Sequence, residues 1–246
     1  GEPIRLLHAL LNLELVEHTY GRPFIAGATH DISSWPLQRA QLKTKHPNLP
    51  YYIDGATTIC ETLCILRYIC KKHAPYLLHV PNETSKIVAE ARHDETLQFI
   101  FESVSILRTF HYGYVPQSNT VAQKDASGRT GSLVLDAACY TGQSTSNIQD
   151  FFEERVATLL RAANPYIFGE TPTLSDVVFY DLLDALACNI PNVHTLSSEV
   201  CDFRAAFRSI PQIKTYLDRR PSFTRNAPIA KFVAQIAHPS RESRVP

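Results

Sequence analysis

HPNLPYYIDGATTICETLCILRYICKKH, residues 46–73, carries the local signals that decide the fold. Two short β-prone runs, YYID and TTIC, are separated by Asp54 and Gly55, a pair typical of hairpin turns. From Glu61 the apolar residues recur at helical spacing, and basic residues at 71–73 complement the negative end of a helix dipole. The stretch therefore predicts a β-hairpin that leads directly into a helix.

The residues before this stretch predict a helix and one strand. EPIRLLHALL begins as a helix with Pro3 in its first turn, where the missing N–H costs nothing. LVEHTYG resembles a short strand closed by Gly21, and a helical piece is predicted at 35–42. Since a lone strand ahead of the hairpin makes a poor sheet, we expect an α/β unit whose first strand precedes Gly1. The sequence contains no Met, so we also expect that it is not a complete translation product.

The pattern becomes all-helical from residue 82 onward. Asn82 is a candidate cap for a long helix. The predicted apolar stripe of that helix comprises Ile87, Ala91, Leu97, Phe101, Val104 and either Leu107 or Ile106. Residues 113–147 are rich in Gly, Ser, Thr, Asn and Gln and are predicted to form a largely mobile insert. Thr173 and Asp176 have the spacing of a capping box, which predicts a structural role at the start of a later helix.

Amino-acid composition indicates which class of protein this is and which kinds of partner are not expected. Hydrophobic residues make up 44% and charged residues 20% of the 246-residue chain, values typical of a globular protein. No apolar run approaches the roughly 18 residues of a membrane span, so no membrane partner is expected. Lys plus Arg equals Asp plus Glu, 24 of each, and no basic stripe stands out. Nucleic acid is therefore not expected as a partner.

The six cysteines argue against a zinc site, because no pair has C-x-x-C spacing and no paired histidines accompany them. A disulfide framework would suit a much shorter secreted chain. We therefore expect reduced, mostly buried cysteines and no bound metal. No signal peptide is expected either, because residues 1–20 lack the basic start and the uninterrupted apolar stretch of one. A cytoplasmic location follows as an expectation.

Several motifs together resemble the cytosolic glutathione transferase superfamily, above all its mu- and sigma-type members. They are EPIRLL at 2–7, PNLPYYIDG at 47–55, the Glu61-Thr62 pair, ILRYICKKH at 65–73 and FGETPTLSDVVFYDLLD at 168–184. The resemblance implies a thioredoxin-like domain at 1–74, without its first strand, followed by an all-helical domain at 82–246. The fold class is then α/β plus all-α, with the flexible insert at about 113–147 inside the helical domain.

The resemblance also implies a glutathione site on the first domain. Its candidate residues are Trp35, Arg39, Asn48, Leu49, Pro50, Glu61 and Thr62. A carboxylate binds well at a helix N-terminus, where Thr62 adds a hydroxyl donor and Glu61 can accept from the γ-glutamyl ammonium group. In the family the Leu49–Pro50 bond is cis, and the outward-facing N–H and C=O of Leu49 can pair with the cysteinyl backbone. Asn48 is implied as a side-chain contact, with Trp35 and Arg39 near the glycyl end.

Some of these candidate residues also have an ordinary structural explanation. Thr62 can serve as a helix cap, and the single tryptophan, Trp35, can be a packing residue. Arg39 needs no explanation as a surface residue. Tyr112 and Tyr114 end the long helix near the family's second, apolar pocket, where core packing is the alternative role.

The catalytic residue is unknown. In the family a Tyr or Ser hydroxyl at the end of the first strand stabilises the glutathione thiolate. That strand precedes EPIRLL, so we expect the hydroxyl to lie before Gly1. Tyr20, Tyr51 and Tyr52 do not match its position. No metal or redox cofactor is required, and glutathione is the co-substrate.

The resemblance implies a homodimeric enzyme of detoxification that joins the glutathione thiolate to apolar electrophiles. Two alternatives remain: a non-catalytic binding or structural protein of this fold, and a glutathione-dependent isomerase like the sigma-type prostaglandin synthases. His46 stands where mu-type members carry an aromatic that plugs into the partner subunit, so a more polar dimer is expected. Asp94 or Gln98 falls near the position from which a partner's acidic residue reaches glutathione.

Overall fold

The computed structural model describes residues 1–18, 20–21, 30–31, 34–112, 155–156, 158–160, 164–189 and 198–220. Of residues 21, 30–31, 106–112 and 187–189 it describes the backbone alone. The predicted insert at 113–147, with Tyr114, lies outside the described residues, as does the side chain of Tyr112.

The chain begins with a helix and a pair of very short strands. Helix α1 spans Glu2–Leu10 and buries its apolar side. Strands β1, Tyr20–Gly21, and β2, His30–Asp31, pair in parallel. The strand predicted at LVEHTYG is therefore confirmed only at its end, because residues 15–18 have no regular structure. Helix α2, Trp35–Gln41, matches the predicted helical piece.

The hairpin and the helix that follows it form as predicted. Strands β3, Tyr51–Asp54, and β4, Thr57–Cys60, are antiparallel. Gly55 has φ +58°, a left-handed conformation that glycine adopts without strain, which explains the Asp-Gly pair at the turn. Helix α3 spans Thr62–His73 and ends in the three basic residues. A short 3₁₀ helix, Pro75–Leu78, follows.

Helix α4, Lys86–Tyr112, buries a face that matches the predicted one only in part, at Leu97 and Val104. Ile87 is 81% exposed and Ala91 is exposed, so the predicted stripe is wrong at its start. The buried face comprises Ala89, His93, Leu97, Ile100 and Val104. The spacing of these residues is helical, but the stripe contains a histidine that a search for apolar residues passes over. The predicted cap is also wrong, because the helix starts at Lys86 and the N–H of Val88 donates to Ser85 Oγ at 3.4 Å.

Three more described helices complete the helical part. They are α5 at Leu174–Asn189, α6 at Ser198–Ser209 and α7 at Pro211–Arg219. Aromatic side chains fill the space between α5 and α6: the rings of Phe179 and Phe203 are 4.9 Å apart, and those of Tyr180 and Phe207 are stacked at 4.7 Å. Such pairs add stability beyond the area that they bury.

One hydrophobic core runs through both parts of the described chain. It includes residues of α1 and α3 as well as residues of α4, α5, α6 and α7. Polar contacts join the same parts, since buried Glu2 accepts hydrogen bonds from Tyr216 Oη at 3.0 Å and from Arg220 Nη1 at 2.7 Å. The division into units at 1–74 and 82–246 stays a prediction.

The described helices include none with the length and apolarity needed to span a membrane. Within the described ranges no three His, Cys, Asp or Glu side chains group as metal ligands would. Cys60 and Cys70 are buried free thiols, whereas Cys64 and Cys201 are exposed free thiols, so the expected burial holds for only two of these four.

Candidate functional site

The hairpin brings the two ends of the candidate site together. Asn48, Leu49 and Pro50 lead into β3, while Glu61 and Thr62 follow β4. Because Tyr51 pairs with Cys60 in the antiparallel register, the residues that flank these two positions must also lie side by side. The contact is direct: Asn48 Nδ2 donates to Glu61 Oε1 at 3.1 Å.

In the loop before β3, one backbone N–H group has a hydrogen-bond partner that was not expected. The Leu49–Pro50 bond is cis, as the resemblance implies. The N–H of Leu49, expected to face outward, instead donates to Asn48 Oδ1 at 2.9 Å. An Asn side chain is short enough to satisfy a neighbouring backbone donor, which explains the difference. A peptide ligand that pairs with this N–H has to displace the Asn48 carboxamide.

Glu61 occupies the N-cap position of α3 in a conformation that is rare for a residue with a side chain. Its φ is 71° and ψ 122°, and its side chain makes no capping hydrogen bond. A non-glycine residue held at positive φ costs roughly 1–3 kcal/mol, and such residues cluster at ligand sites. Thr62 is the first helical residue and is 8% exposed, so the alternative of Thr62 as the N-cap is wrong.

The start of α3 can therefore receive both charges of an amino-acid end. The first N–H groups of a helix have no partners within the helix, and the positive end of its dipole favours a carboxylate. The exposed Glu61 carboxylate beside it can accept from an ammonium group.

Trp35 and Arg39 lie on α2, which reaches this region through aromatic contacts. The rings of Trp35 and Tyr51 are stacked at 6.0 Å with 12° between their planes. Tyr20 meets the edge of Trp35 at 5.5 Å. Arg39 is exposed and lies one helical turn after Trp35.

Sequence reasoning missed the pairing of Tyr20 with Tyr51. Their hydroxyl oxygens are 3.0 Å apart, across 31 positions of the chain. Burial, and then the hydrogen bond to Tyr20, raise the pKa of Tyr51 to about 12, so the phenol keeps its proton at neutral pH. The only available signal was the position of Tyr51 directly after Pro50, which does not reveal a partner so far away in sequence.

The sequence singled out Asp94, Gln98 and His46 as candidates for contact with a second subunit, and these residues differ in their contacts and exposure. Asp94 accepts a hydrogen bond from Arg67 Nη2 at 2.7 Å, so its carboxylate is engaged within the chain. Gln98 and His46 are exposed. Of Asp94 and Gln98, Gln98 is therefore the more accessible and Asp94 the more engaged.

Comparisons with known proteins find similar sequences and similar folds. The sequence family described as "Glutathione S-transferase, C-terminal domain" matches residues 136–220. A glutathione S-transferase of Tyrophagus putrescentiae is 26% identical over 237 residues, which cover 96% of this chain and 93% of the relative. The class-mu 26 kDa glutathione S-transferase isozyme of Schistosoma japonicum is 27% identical over 216 residues, covering 88% and 82%.

The chain is thus similar to glutathione S-transferases, including a class-mu member, over most of its length. Solved structures show the same fold at lower identity. The glutathione S-transferase from Ascaris lumbricoides superposes with a TM-score of 0.63 at 17% identity, covering 91% of this chain and 93% of its own. Rat hPGDS complexed with a quinoline gives a TM-score of 0.61 at 16% identity, covering 91% and 92%. The predicted glutathione transferase fold is thereby confirmed.

Proposed function

We propose that this protein is a glutathione transferase. It binds glutathione across the surface formed by the loop at 48–50, the start of α3 and the start of α2. The thiolate sulfur then forms a bond with an electrophilic carbon of an apolar substrate, and the leaving group departs with the electrons of the broken bond. The observation that carries the proposal is the contact between Asn48 and Glu61, which unites a backbone edge with a helix N-terminus.

Each part of the tripeptide has a complementary part of the surface. The γ-glutamyl carboxylate is held by the first N–H groups of α3 and the Thr62 hydroxyl, and its ammonium group by Glu61. The cysteinyl backbone pairs with Leu49 once the Asn48 carboxamide has moved from the Leu49 N–H. The glycyl end lies beside Trp35 and Arg39.

Activation of the thiol is a separate question from binding. A hydroxyl that lowers the pKa of a thiol must donate a hydrogen bond to the thiolate. One of the hydroxyls of Tyr20 and Tyr51 donates to the other, and neither residue matches the position of the family's catalytic hydroxyl, so neither is assigned this role. The remaining contribution is positioning of the thiolate against its electrophile.

We also propose a homodimer in the cytoplasm with a role in detoxification. Ile53 on β3 and Ile87 on α4 are 54% and 81% exposed in one copy. Large apolar side chains that stay exposed in one copy support association of two copies. The free thiols of the described cysteines support a reducing compartment.

The test is retention on immobilised glutathione combined with turnover of a generic aryl halide. Retention and turnover that both fall in Thr62→Val, but not in the exposed control Thr84→Val, are the expected result. Retention without turnover would favour the non-catalytic alternative, unless an isomerisation assay with glutathione as cofactor is positive. No retention and no thermal shift with glutathione would contradict all three functions.

A further inference from the structure

Three aromatic rings form a closed cluster beside the candidate site. We call Tyr20, Trp35 and Tyr51 the aromatic trio. Trp35 stacks on Tyr51 at 6.0 Å, Tyr20 meets Trp35 edge-on at 5.5 Å, and Tyr20 and Tyr51 are 6.4 Å apart with their hydroxyl oxygens at 3.0 Å. Each ring therefore contacts both of the others.

Within the part of the chain that the structure describes, little else fixes the helix that carries Trp35. Helix α2 has seven residues, and none of them is buried. A helix this short is not stable by itself in water, so tertiary contacts must fix it. Among the described contacts of Trp35, the aromatic trio supplies those that define where the indole lies.

Tyr51 is the member of the trio that belongs to the peptide-binding loop. It follows Pro50 directly, and its backbone is fixed by pairing with Cys60. Its side chain reaches Trp35, and its hydroxyl is held by Tyr20. Tyr51 thus joins a rigid hairpin to a weakly anchored helix.

We propose that Tyr51 is a positioning residue that sets the Trp35 indole against the glycyl end of glutathione, and so determines preference for the tripeptide over γ-glutamylcysteine. The inference rests on the proposed function, since it assigns a role at the same site. Tyr51 touches no reacting atom; it acts through Trp35. The Tyr20 hydroxyl restricts rotation of the Tyr51 ring.

The experiment compares two ligands that differ only in the glycyl residue. Dissociation constants for glutathione and γ-glutamylcysteine are measured by calorimetry on the unmodified chain, Tyr51→Leu, Tyr51→Phe and Trp35→Leu. Tyr51→Leu removes the stacked ring and should weaken glutathione binding about 3- to 10-fold, the range of one aromatic contact. Binding of γ-glutamylcysteine should stay within about twofold, because that ligand does not reach Trp35.

The other variants sharpen the assignment. Tyr51→Phe keeps the ring and loses the bond to Tyr20, so its effect should lie between those of the unmodified chain and Tyr51→Leu. Trp35→Leu should lose the same preference, and adding Tyr51→Leu to it should produce no further loss. Tyr76→Leu is the matched control, since Tyr76 is 68% exposed and lies in the 3₁₀ helix. It should leave both constants unchanged.

A spectroscopic measurement reports the position of the indole without any ligand. Trp35 is the only tryptophan in the chain, so the emission spectrum belongs to this residue alone. Tyr51→Leu should shift the emission to longer wavelength as the indole becomes hydrated, and Tyr76→Leu should not. If Tyr51→Leu does not fold, Tyr51→Phe and Tyr20→Phe carry the same comparison.

Two outcomes overturn the inference while leaving the proposed function intact. Equal weakening of both ligands in Tyr51→Leu means that Tyr51 supports the whole loop rather than Trp35. Unchanged constants together with an unchanged emission maximum mean that Tyr51 does not position the indole. If the unmodified chain binds neither ligand, the proposed function and the inference fail together.

Discussion

The described chain contains two helix starts with opposite treatment of their N-terminal N–H groups. At α5 the Asp176 carboxylate, fully buried, accepts from the N–H of Thr173 at 2.7 Å, from Thr173 Oγ1 at 2.8 Å and from the N–H of Ile167 at 2.9 Å. At α3 the N-cap residue is the exposed Glu61, whose side chain makes no capping bond. The start of α5, satisfied by its own chain, is here called the closed start, and the start of α3 the open start. A closed start stabilises the fold, whereas an open start can bind an anion.

The largest effect is expected on stability at the closed start. Asp176→Ala leaves one buried N–H group, one partly buried N–H group and a hydroxyl without their acceptor, and should lower the free energy of unfolding by about 4 kcal/mol. Urea denaturation measures the change. The matched control is Asp218→Ala on α7, because Asp218 is 63% exposed and paired only with Lys214. The control should change stability by less than about 0.5 kcal/mol. Similar losses in both variants would contradict the structural role of Asp176.

A second effect concerns the histidine that packs against the turn before the closed start. His93 is fully buried, and its ring lies 6.0 Å from that of Phe168. Burial lowers its pKa from 6.5 to about 4, although the carboxylate of Asp94 opposes the shift. Between pH 6.5 and 4 the unfolded chain therefore binds a proton that the folded chain does not, so stability falls as pH falls through this window.

His93 by itself contributes a loss of about 3 kcal/mol at most across this window. Burial raises the pKa of Asp176 to about 6, so the folded chain takes up a proton there in the same window and offsets part of that loss. Urea denaturation at a series of pH values measures the net change, and in His93→Leu stability should fall less, or rise, as pH falls. His73→Gln is the control, because His73 is exposed at the end of α3. A profile that is the same in His93→Leu as in the unmodified chain would assign the acid sensitivity to other groups.

At the open start the expected effect falls on binding instead of stability. Thr62→Val removes the hydroxyl donor and keeps the side-chain shape, so KM for glutathione should rise about tenfold, as expected for one hydrogen bond to a charged group. The free energy of unfolding should change by about 1 kcal/mol or less. Steady-state kinetics and urea denaturation of the same variant separate the two quantities. A large loss of stability with unchanged KM would make α3 a second closed start.

Local signals predicted the open start better than the contacts around it. The hairpin and α3 follow from the turn pair and from helical spacing within 46–73, and both are confirmed. The start of the buried face of α4 was predicted wrongly, because His93 counts as polar in a search for apolar residues. Packing nevertheless buries His93 as part of a helical stripe. The contact of Tyr20 with Tyr51 spans 31 positions, and no local pattern specifies it.

The smallest effect is expected at Asn48, which decides how open the α3 start is. Its carboxamide holds both the Leu49 N–H and the Glu61 carboxylate. Asn48→Ala removes a competitor for the Leu49 N–H but also releases Glu61, so these effects offset and KM for glutathione should rise less than about threefold. Asn48→Asp places a second carboxylate beside Glu61 and should raise KM more, about 3- to 10-fold, because like charges repel. Steady-state kinetics at low and high salt distinguish the two variants, since only the effect of Asn48→Asp should shrink as salt screens the repulsion. A larger rise in Asn48→Ala than in Asn48→Asp would mean that the amide itself supplies a main contact to the peptide.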